Sequence, residues 1–181
     1  MIAAVGAAGG DLGAAGLALA EMQGRKGRGQ RHVLRAAGGD GSGRALLIDE
    51  SYNANPASMK ATLAQLGVTP ARRRLAVLGA MKELGEHGPA YHAALIEPVL
   101  AAGLDHVVLV GDEMQPLADE LGKAAERSLG KAISFAHCTT AAAAIDALRA
   151  LGVEGGDAIL VKGSNSVGLG AVVAALAQQK D

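Results

Sequence analysis

Six short apolar or β-branched runs punctuate the chain, at 32–36, 45–49, 75–78, 106–110, 133–135 and 158–161. Helical patterns separate most of them, at 56–66, 89–102, 114–128, 139–151 and 167–178. In the first of these Met59, Leu63 and Leu66 fall three or four residues apart, on one helical face. Runs such as Val107-Val108-Leu109-Val110 lack polar alternation, which marks strands buried on both faces. Strands alternating with helices predict right-handed βαβ units. The expected fold is α/β: a doubly wound, mostly parallel, Rossmann-like sheet with helices on both faces. Only the glycine-rich segment 38–43 joins the first two strands, which predicts an antiparallel hairpin. Pro98 and Pro116 sit inside or early in helical patterns, where a missing N–H disturbs the ladder.

Ahead of this domain, residues 1–24 predict a short helical segment, with Asp11 as cap, Leu12, Leu17 and Leu19 apolar, and Gly24 as the stop. The basic stretch Arg25-Lys26-Gly27-Arg28-Gly29-Gln30-Arg31 reads as a solvated linker, so the α/β domain is expected over 25–181.

Composition narrows the class. The 181 residues suffice for one good core, and half of them are apolar, yet there is one Phe, two Tyr and no Trp. The core must then be built from Ala, Leu, Val and Ile. With 17 basic and 18 acidic residues the net charge is −1, which argues against nucleic acid or an anionic membrane surface as partner. No apolar segment reaches the roughly 18 residues of a membrane span. The first residues also lack the basic and long apolar regions of a signal peptide, so a cytoplasmic location is expected. Cys138 stands alone, and His87 and His92 lack the spacing of a helical metal pair, so no metal site is expected.

Candidate chemistry gathers in four loops at the carboxyl ends of predicted strands, where open α/β sheets bind ligands. The first, Asp49-Glu50-Ser51-Tyr52-Asn53-Ala54-Asn55-Pro56, brings together two carboxylates and two amides. Within it Asn55 is a good N-cap, and Pro56 suits a first helical position. The second is Gly79-Ala80-Met81-Lys82-Glu83-Leu84-Gly85, and the third Gly111-Asp112-Glu113. The fourth, Val161-Lys162-Gly163-Ser164-Asn165-Ser166, combines an ammonium, two hydroxyls and free N–H groups at a helix start, a ready anion site. Complete nucleotide motifs are missing. No Gly-Lys is followed by Ser or Thr, no G-x-G-x-x-G joins a first strand to its helix, and no G-x-S-x-G elbow occurs.

Taken in order, Lys26-Gly27-Arg28, the 48–59 segment with its Tyr52-Asn53-Ala54-Asn55-Pro56, Val77-Leu78-Gly79-Ala80-Met81-Lys82-Glu83-Leu84-Gly85, Val110-Gly111 and Val161-Lys162-Gly163-Ser164 form a series. This series resembles the carboxyl-terminal domain of the Mur ligase family, above all the branch that adds D-alanyl-D-alanine. The resemblance implies a three-domain cytoplasmic enzyme of peptidoglycan synthesis, and so of cell shape and division. Such an enzyme uses ATP and Mg2+ to convert the carboxylate of UDP-N-acetylmuramoyl-tripeptide to an acyl phosphate, which the amine of D-alanyl-D-alanine attacks. The partners of this chain would then be the missing N-terminal and central ligase domains. The central one would hold the phosphate loop and the Mg2+ ligands, with residues 1–24 as its helical remnant. The chain alone would not complete the reaction.

Carried onto this sequence, the resemblance assigns Arg28 to the ATP phosphates and Asp49, Glu50 and Asn53 to the nucleotide. Glu50 stands where the family usually has Asp. Lys162, Ser164 and Asn165 would meet the dipeptide carboxylate or the closing domain interface. Two departures each remove a charged group: Gly79-Ala80-Met81 replaces the usual Gly-Asp-Met, and Asn165 replaces an Arg after Lys-Gly-Ser. A non-catalytic binding or interaction module derived from such a ligase, and a sister amide ligase, are the alternatives.

Overall fold

Residues without polar alternation must bury both faces of a strand, and the computed structural model shows how this is achieved. It describes Asp11, residues 26–127 and residues 133–178. Apart from Asp11, the helix expected over 1–24 lies outside the described residues. The elements run β1 (Gln30–Arg35), β2 (Arg44–Glu50), α1 (Pro56–Gly67), β3 (Arg73–Gly79), α2 (Gly88–Ala93), α3 (Ile96–Ala101) and β4 (His106–Val110). There follow α4 (Gln115–Arg127), β5 (Ser134–Cys138), α5 (Ala141–Leu151), β6 (Asp157–Lys162) and α6 (Gly170–Ala177). The sheet order is β1-β2-β6-β3-β4-β5. The β1–β2 pair is the expected antiparallel hairpin, and every other pair is parallel.

Successive residues of each inner strand feed opposite cores. Ile48, Ala76, Leu78, Leu109 and Leu160 pack with Met59, Leu63 and Leu66 of α1, Val99 of α3 and Leu117 and Leu121 of α4. Leu47, Leu75, Val77, Val110, Ile159 and Val161 pack with Leu148 of α5 and Val172 and Leu176 of α6. The chain moves outward through β3, β4 and β5, then returns through α5 to insert β6 between β2 and β3. Right-handed crossovers therefore put α5 on the face opposite α1–α4. The reversal makes β6 and β3 the topological switch point. Their carboxyl ends nearly touch: Ser164 N–H donates to the Ala80 carbonyl at 3.1 Å, and a Cβ on Gly163 would lie 3.0 Å from Gly79 Cα.

Several expectations are corrected. Over its described residues, 26–31, the basic stretch is not a solvated linker: Gly29 N–H donates to the Asp49 carbonyl at 2.9 Å and β1 begins at Gln30. The helix expected at 89–102 is broken into α2 and α3. Pro98 has no N–H to offer the Ala94 carbonyl, so the ladder opens one turn before it. The helix expected at 167–178 starts late, because a 3-10 turn, Asn165–Val167, and left-handed Gly168 (φ 78°) precede α6. Among the described residues no helix is long and apolar enough to cross a membrane.

Two anchors hold the sheet ends. At the amino ends of β3 and β6, Arg73 grips Asp157 with a bidentate pair of hydrogen bonds, 2.8 and 2.6 Å. At the carboxyl end of β2, Asn55 caps α1: its Oδ1 accepts from Ser58 N–H at 2.8 Å while Ser58 Oγ accepts from Asn55 N–H at 3.1 Å. Such a reciprocal cap is worth about 1 kcal/mol, and it fixes the turn that precedes it.

Candidate functional site

β2 ends in Asp49 and Glu50, whose side chains point to opposite faces of the sheet, as alternate strand residues must. Asp49 is 1% exposed and fully occupied. Its Oδ2 accepts from Gly27 N–H at 2.9 Å, and its Oδ1 from Ser51 N–H at 3.1 Å and Ser51 Oγ–H at 2.6 Å. It therefore ties the entering Lys26-Gly27-Arg28 segment to the turn after β2 and presents no carboxylate to a ligand. Gly27 is required here: its φ is +74°, and a Cβ would come within 2.7 Å of Tyr52 Cβ. Tyr52 N–H closes the clamp on the Gly27 carbonyl at 3.0 Å, and the Arg28 guanidinium lies over the Tyr52 ring, 4.4 Å from its centroid.

Glu50 pairs in register with Lys162 across β2 and β6. Lys162 is buried; its Nζ donates to the Asn53 carbonyl at 2.8 Å and sits 4.0 Å from Glu50 Oε2. Burial pulls the Lys162 pKa down, and the Glu50 carboxylate partly opposes this. The Asn53 side chain is exposed, with Oδ1 accepting from Ala54 N–H at 2.9 Å.

In the loop after β6, two of the groups expected to cradle an anion turn inward. The Lys162 ammonium turns back to Asn53, and buried Ser164 Oγ accepts from Lys82 N–H at 2.9 Å. Only Asn165 and Ser166 of that loop reach solvent. Thus Arg28, Glu50 and Asn53 come together around one turn, Asp49 and Lys162 stand behind it, and Ser164 and Asn165 belong to the neighbouring switch point.

The loop after β3 is organised by His92, whose Nε2 accepts from Met81 N–H at 2.9 Å. Its Nδ1 then carries the proton and donates to the Gly88 carbonyl, 2.8 Å away. Burial lowers the His92 pKa, with the bond to Gly88 and the Glu113 carboxylate raising it and Lys82 lowering it further, so the ring is held neutral. Next in the loop, Glu83 adopts φ 63°, the left-handed region. Lys82 pairs with Glu113, and this bond is the main reason the Glu113 carboxyl lies below its ordinary pKa.

Two clefts flank this pair. One of about 410 Å³ is lined by Met81, Leu84, Pro89, His92 and Pro116. The other, about 420 Å³, is lined by Lys82, Asp112, Thr139, Thr140 and Ser166. Ala80 is fully buried.

Sequence reasoning singled out the loops that carry Tyr52, Lys82 and Glu113 without giving those three a role, and it passed over His92. Tyr52 had a signal, since it stands inside the same turn as Glu50 and Asn53. His92 had none, because no spacing rule links a helical histidine to an N–H eleven residues back.

Comparison with known proteins shows the family. The family model described as "Mur ligase, glutamate ligase domain" matches residues 27–165. A UDP-N-acetylmuramoyl-tripeptide–D-alanyl-D-alanine ligase of Synechocystis is 43% identical over 131 residues, 72% of this chain and 27% of that one. The Mycobacterium tuberculosis H37Rv ligase of the same name is 37% identical over 152 residues, 76% of this chain and 29% of that one. The chain thus spans about a quarter of the length of these curated relatives. Among solved structures, an Acinetobacter baumannii MurF superposes with TM-score 0.72 at 27% identity, covering 98% of this chain and 35% of that one. Thermotoga maritima MurF, solved with ADP, gives TM-score 0.72 at 22% identity, covering 98% and 36%, a likeness of fold. The chain belongs to the Mur ligase family, in which it is the carboxyl-terminal domain.

Proposed function

We propose that this chain is the nucleotide- and amine-facing domain of an ATP-dependent ligase. That enzyme would join D-alanyl-D-alanine to UDP-N-acetylmuramoyl-tripeptide through an acyl phosphate, in cytoplasmic peptidoglycan synthesis. The names of the relatives at 37–43% identity support the substrates. The observation that carries the reading is that Arg28, from the segment before β1, lies over Tyr52 in the turn after β2, beside Glu50, the last residue of β2, and Asn53 of that same turn. That is where an open α/β sheet receives a ligand.

ATP would supply the phosphoryl group, with Mg2+ held by the central domain of such a ligase. In this chain Arg28 offers a permanent cation to phosphate oxygens. Glu50, half-buried beside Lys162, offers a carboxylate to ribose hydroxyls, and Asn53 offers an exposed carboxamide to the nucleotide. Asp49 and Lys162 position those groups rather than meeting substrate. On the amine side, Asn165 stands beside the cleft of Lys82, Thr139, Thr140 and Ser166, whose ammonium and hydroxyls suit the dipeptide carboxylate. Ser164 sets the Lys82 backbone at that cleft. Residues 1–24 belong, on this reading, to the end of the central domain.

The sequence contains no phosphate loop, so the chain alone is inactive. The test is phosphate release from ATP with both peptide substrates. The expected result is none for the chain alone, and release when the N-terminal and central domains of the Synechocystis relative are added. Turnover by the chain alone overturns the incompleteness. No rescue, together with no nucleotide binding, favours the non-catalytic module, the alternative that Asn165 in place of Arg motivates.

A further inference from the structure

We infer that Tyr52 is a positioning residue, a platform that holds Arg28 with its hydrogen-bonding edge free for the phosphates of the nucleotide. The inference rests on the nucleotide reading above and adds a residue that reading does not need. A guanidinium has a face and an edge. The face can lie on an aromatic ring, while the five N–H donors all point outward along the edge. Arg28 lies over the ring, with Cζ 4.4 Å from the Tyr52 centroid, a distance at which the guanidinium face can rest on it. Among the described residues no carboxylate pairs with it, so its donors are not spent on a salt bridge.

The ring is fixed from behind. Tyr52 N–H is bonded to the Gly27 carbonyl, and Gly27 N–H to Asp49, so residues 27 and 52 move as one unit. Gly27 allows the two backbones to meet, since any side chain there would strike Tyr52 Cβ. One residue further on, Lys162 grips the Asn53 carbonyl. Tyr52 is 47% exposed, so no core demands a ring at this position. A long, flexible arginine at the chain's entry to the domain would otherwise sample many rotamers. The stack reduces that freedom before the ligand arrives.

Two readouts on the 181-residue chain test the inference. In the ligand-free protein, proton NMR should show the Arg28 side chain shifted upfield by the ring current in the unaltered chain and in Tyr52→Phe, but not in Tyr52→Leu. Titration with ATP and, separately, with adenosine should show ATP binding weakened about 2–5-fold by Tyr52→Leu, retained in Tyr52→Phe, with adenosine binding unchanged. In an Arg28→Gln background Tyr52→Leu should have no further effect.

Equal loss of ATP and adenosine binding would mean that the ring meets the base, and would overturn the positioning role. So would an undiminished ATP affinity in Tyr52→Leu, or an absent ring-current shift. If neither ligand perturbs the unaltered chain, the nucleotide reading itself falls and takes this role with it. A preserved Arg28 ring-current shift would then identify that failure as one of function and not of geometry.

Discussion

The buried Lys162 side chain reaches across from β6 to the Asn53 main-chain carbonyl, a 2.8 Å hydrogen bond. Its nearest counter-charge, Glu50, is 4.0 Å away. Two effects oppose each other in Lys162→Met. The Asn53 carbonyl, in a partly buried bond, loses its donor, which costs about 1 kcal/mol. Removing an enclosed ammonium relieves a desolvation cost of similar size. Global stability in urea should therefore change by no more than about 1 kcal/mol. The turn itself should loosen, and the Tyr52 amide, bonded to the Gly27 carbonyl, should exchange with solvent markedly faster. Unchanged exchange at that amide would show that the lysine is a spectator.

The adjacent carboxylates Asp49 and Glu50 should separate structure from function. Asp49 accepts three hydrogen bonds inside the protein. In Asp49→Asn an amide donor must face one of those donors, and a loss of about 1.5–3 kcal/mol is expected in the urea midpoint. Glu50 is partly exposed and makes only a long contact to Lys162. Glu50→Gln should cost less than about 1 kcal/mol while weakening nucleotide binding. Equal stability losses at the two positions would contradict the division.

Gly27→Ala tests the clamp beneath Arg28, with Gly41→Ala as its control. Both glycines have nearly the same backbone, φ +74° and +75°. Each substitution should cost about 1–2 kcal/mol for the left-handed conformation alone. At Gly41 nothing lies within 4 Å of the new methyl group, whereas at Gly27 Tyr52 Cβ is 2.7 Å away. Gly27→Ala should thus be the worse by about 1–3 kcal/mol, the range of an overpacked contact. Equal melting midpoints for the two variants would mean that the Gly27–Tyr52 contact relaxes freely.

Inner strands were legible because both their faces are apolar, as in Val107-Val108-Leu109-Val110. The edge strand β5 was not: it was expected at 133–135 and runs Ser134–Cys138, because its half-buried Ala136-His137-Cys138 shows no apolar run. The turn after β2 announced itself through its polar residues at a strand end. Which of those residues stay open to solvent was hidden. Direction depends on bonds that join Gly27 to Asp49 across 22 positions, Lys82 to Ser164 across 82 and Asn53 to Lys162 across 109. A sequence displays the ammonium of Lys162 and the hydroxyl of Ser164, but burial turned both inward, and only the assembled sheet determines that.

His92 should make the chain sensitive to acid. In the folded state its Nε2 must accept the Met81 N–H, so it must be neutral, and burial holds its pKa below the ordinary 6.5. Once unfolded, the same imidazole regains that ordinary value and binds the extra proton. Stability from this group is thus fully present above pH 6.5 and declines as pH falls through and below it. The slope from one proton is at most about 1.4 kcal/mol per pH unit. Glutamine can place its side-chain oxygen near the position of Nε2 without titrating. Urea midpoints between pH 7 and pH 5 should therefore fall more steeply for the unaltered chain than for His92→Gln. In the same window the amides of the loop carrying left-handed Glu83 should lose exchange protection in the unaltered chain, because a protonated ring turns a donor toward Met81 N–H. Parallel pH profiles for the two proteins would rule out His92 as the group responsible.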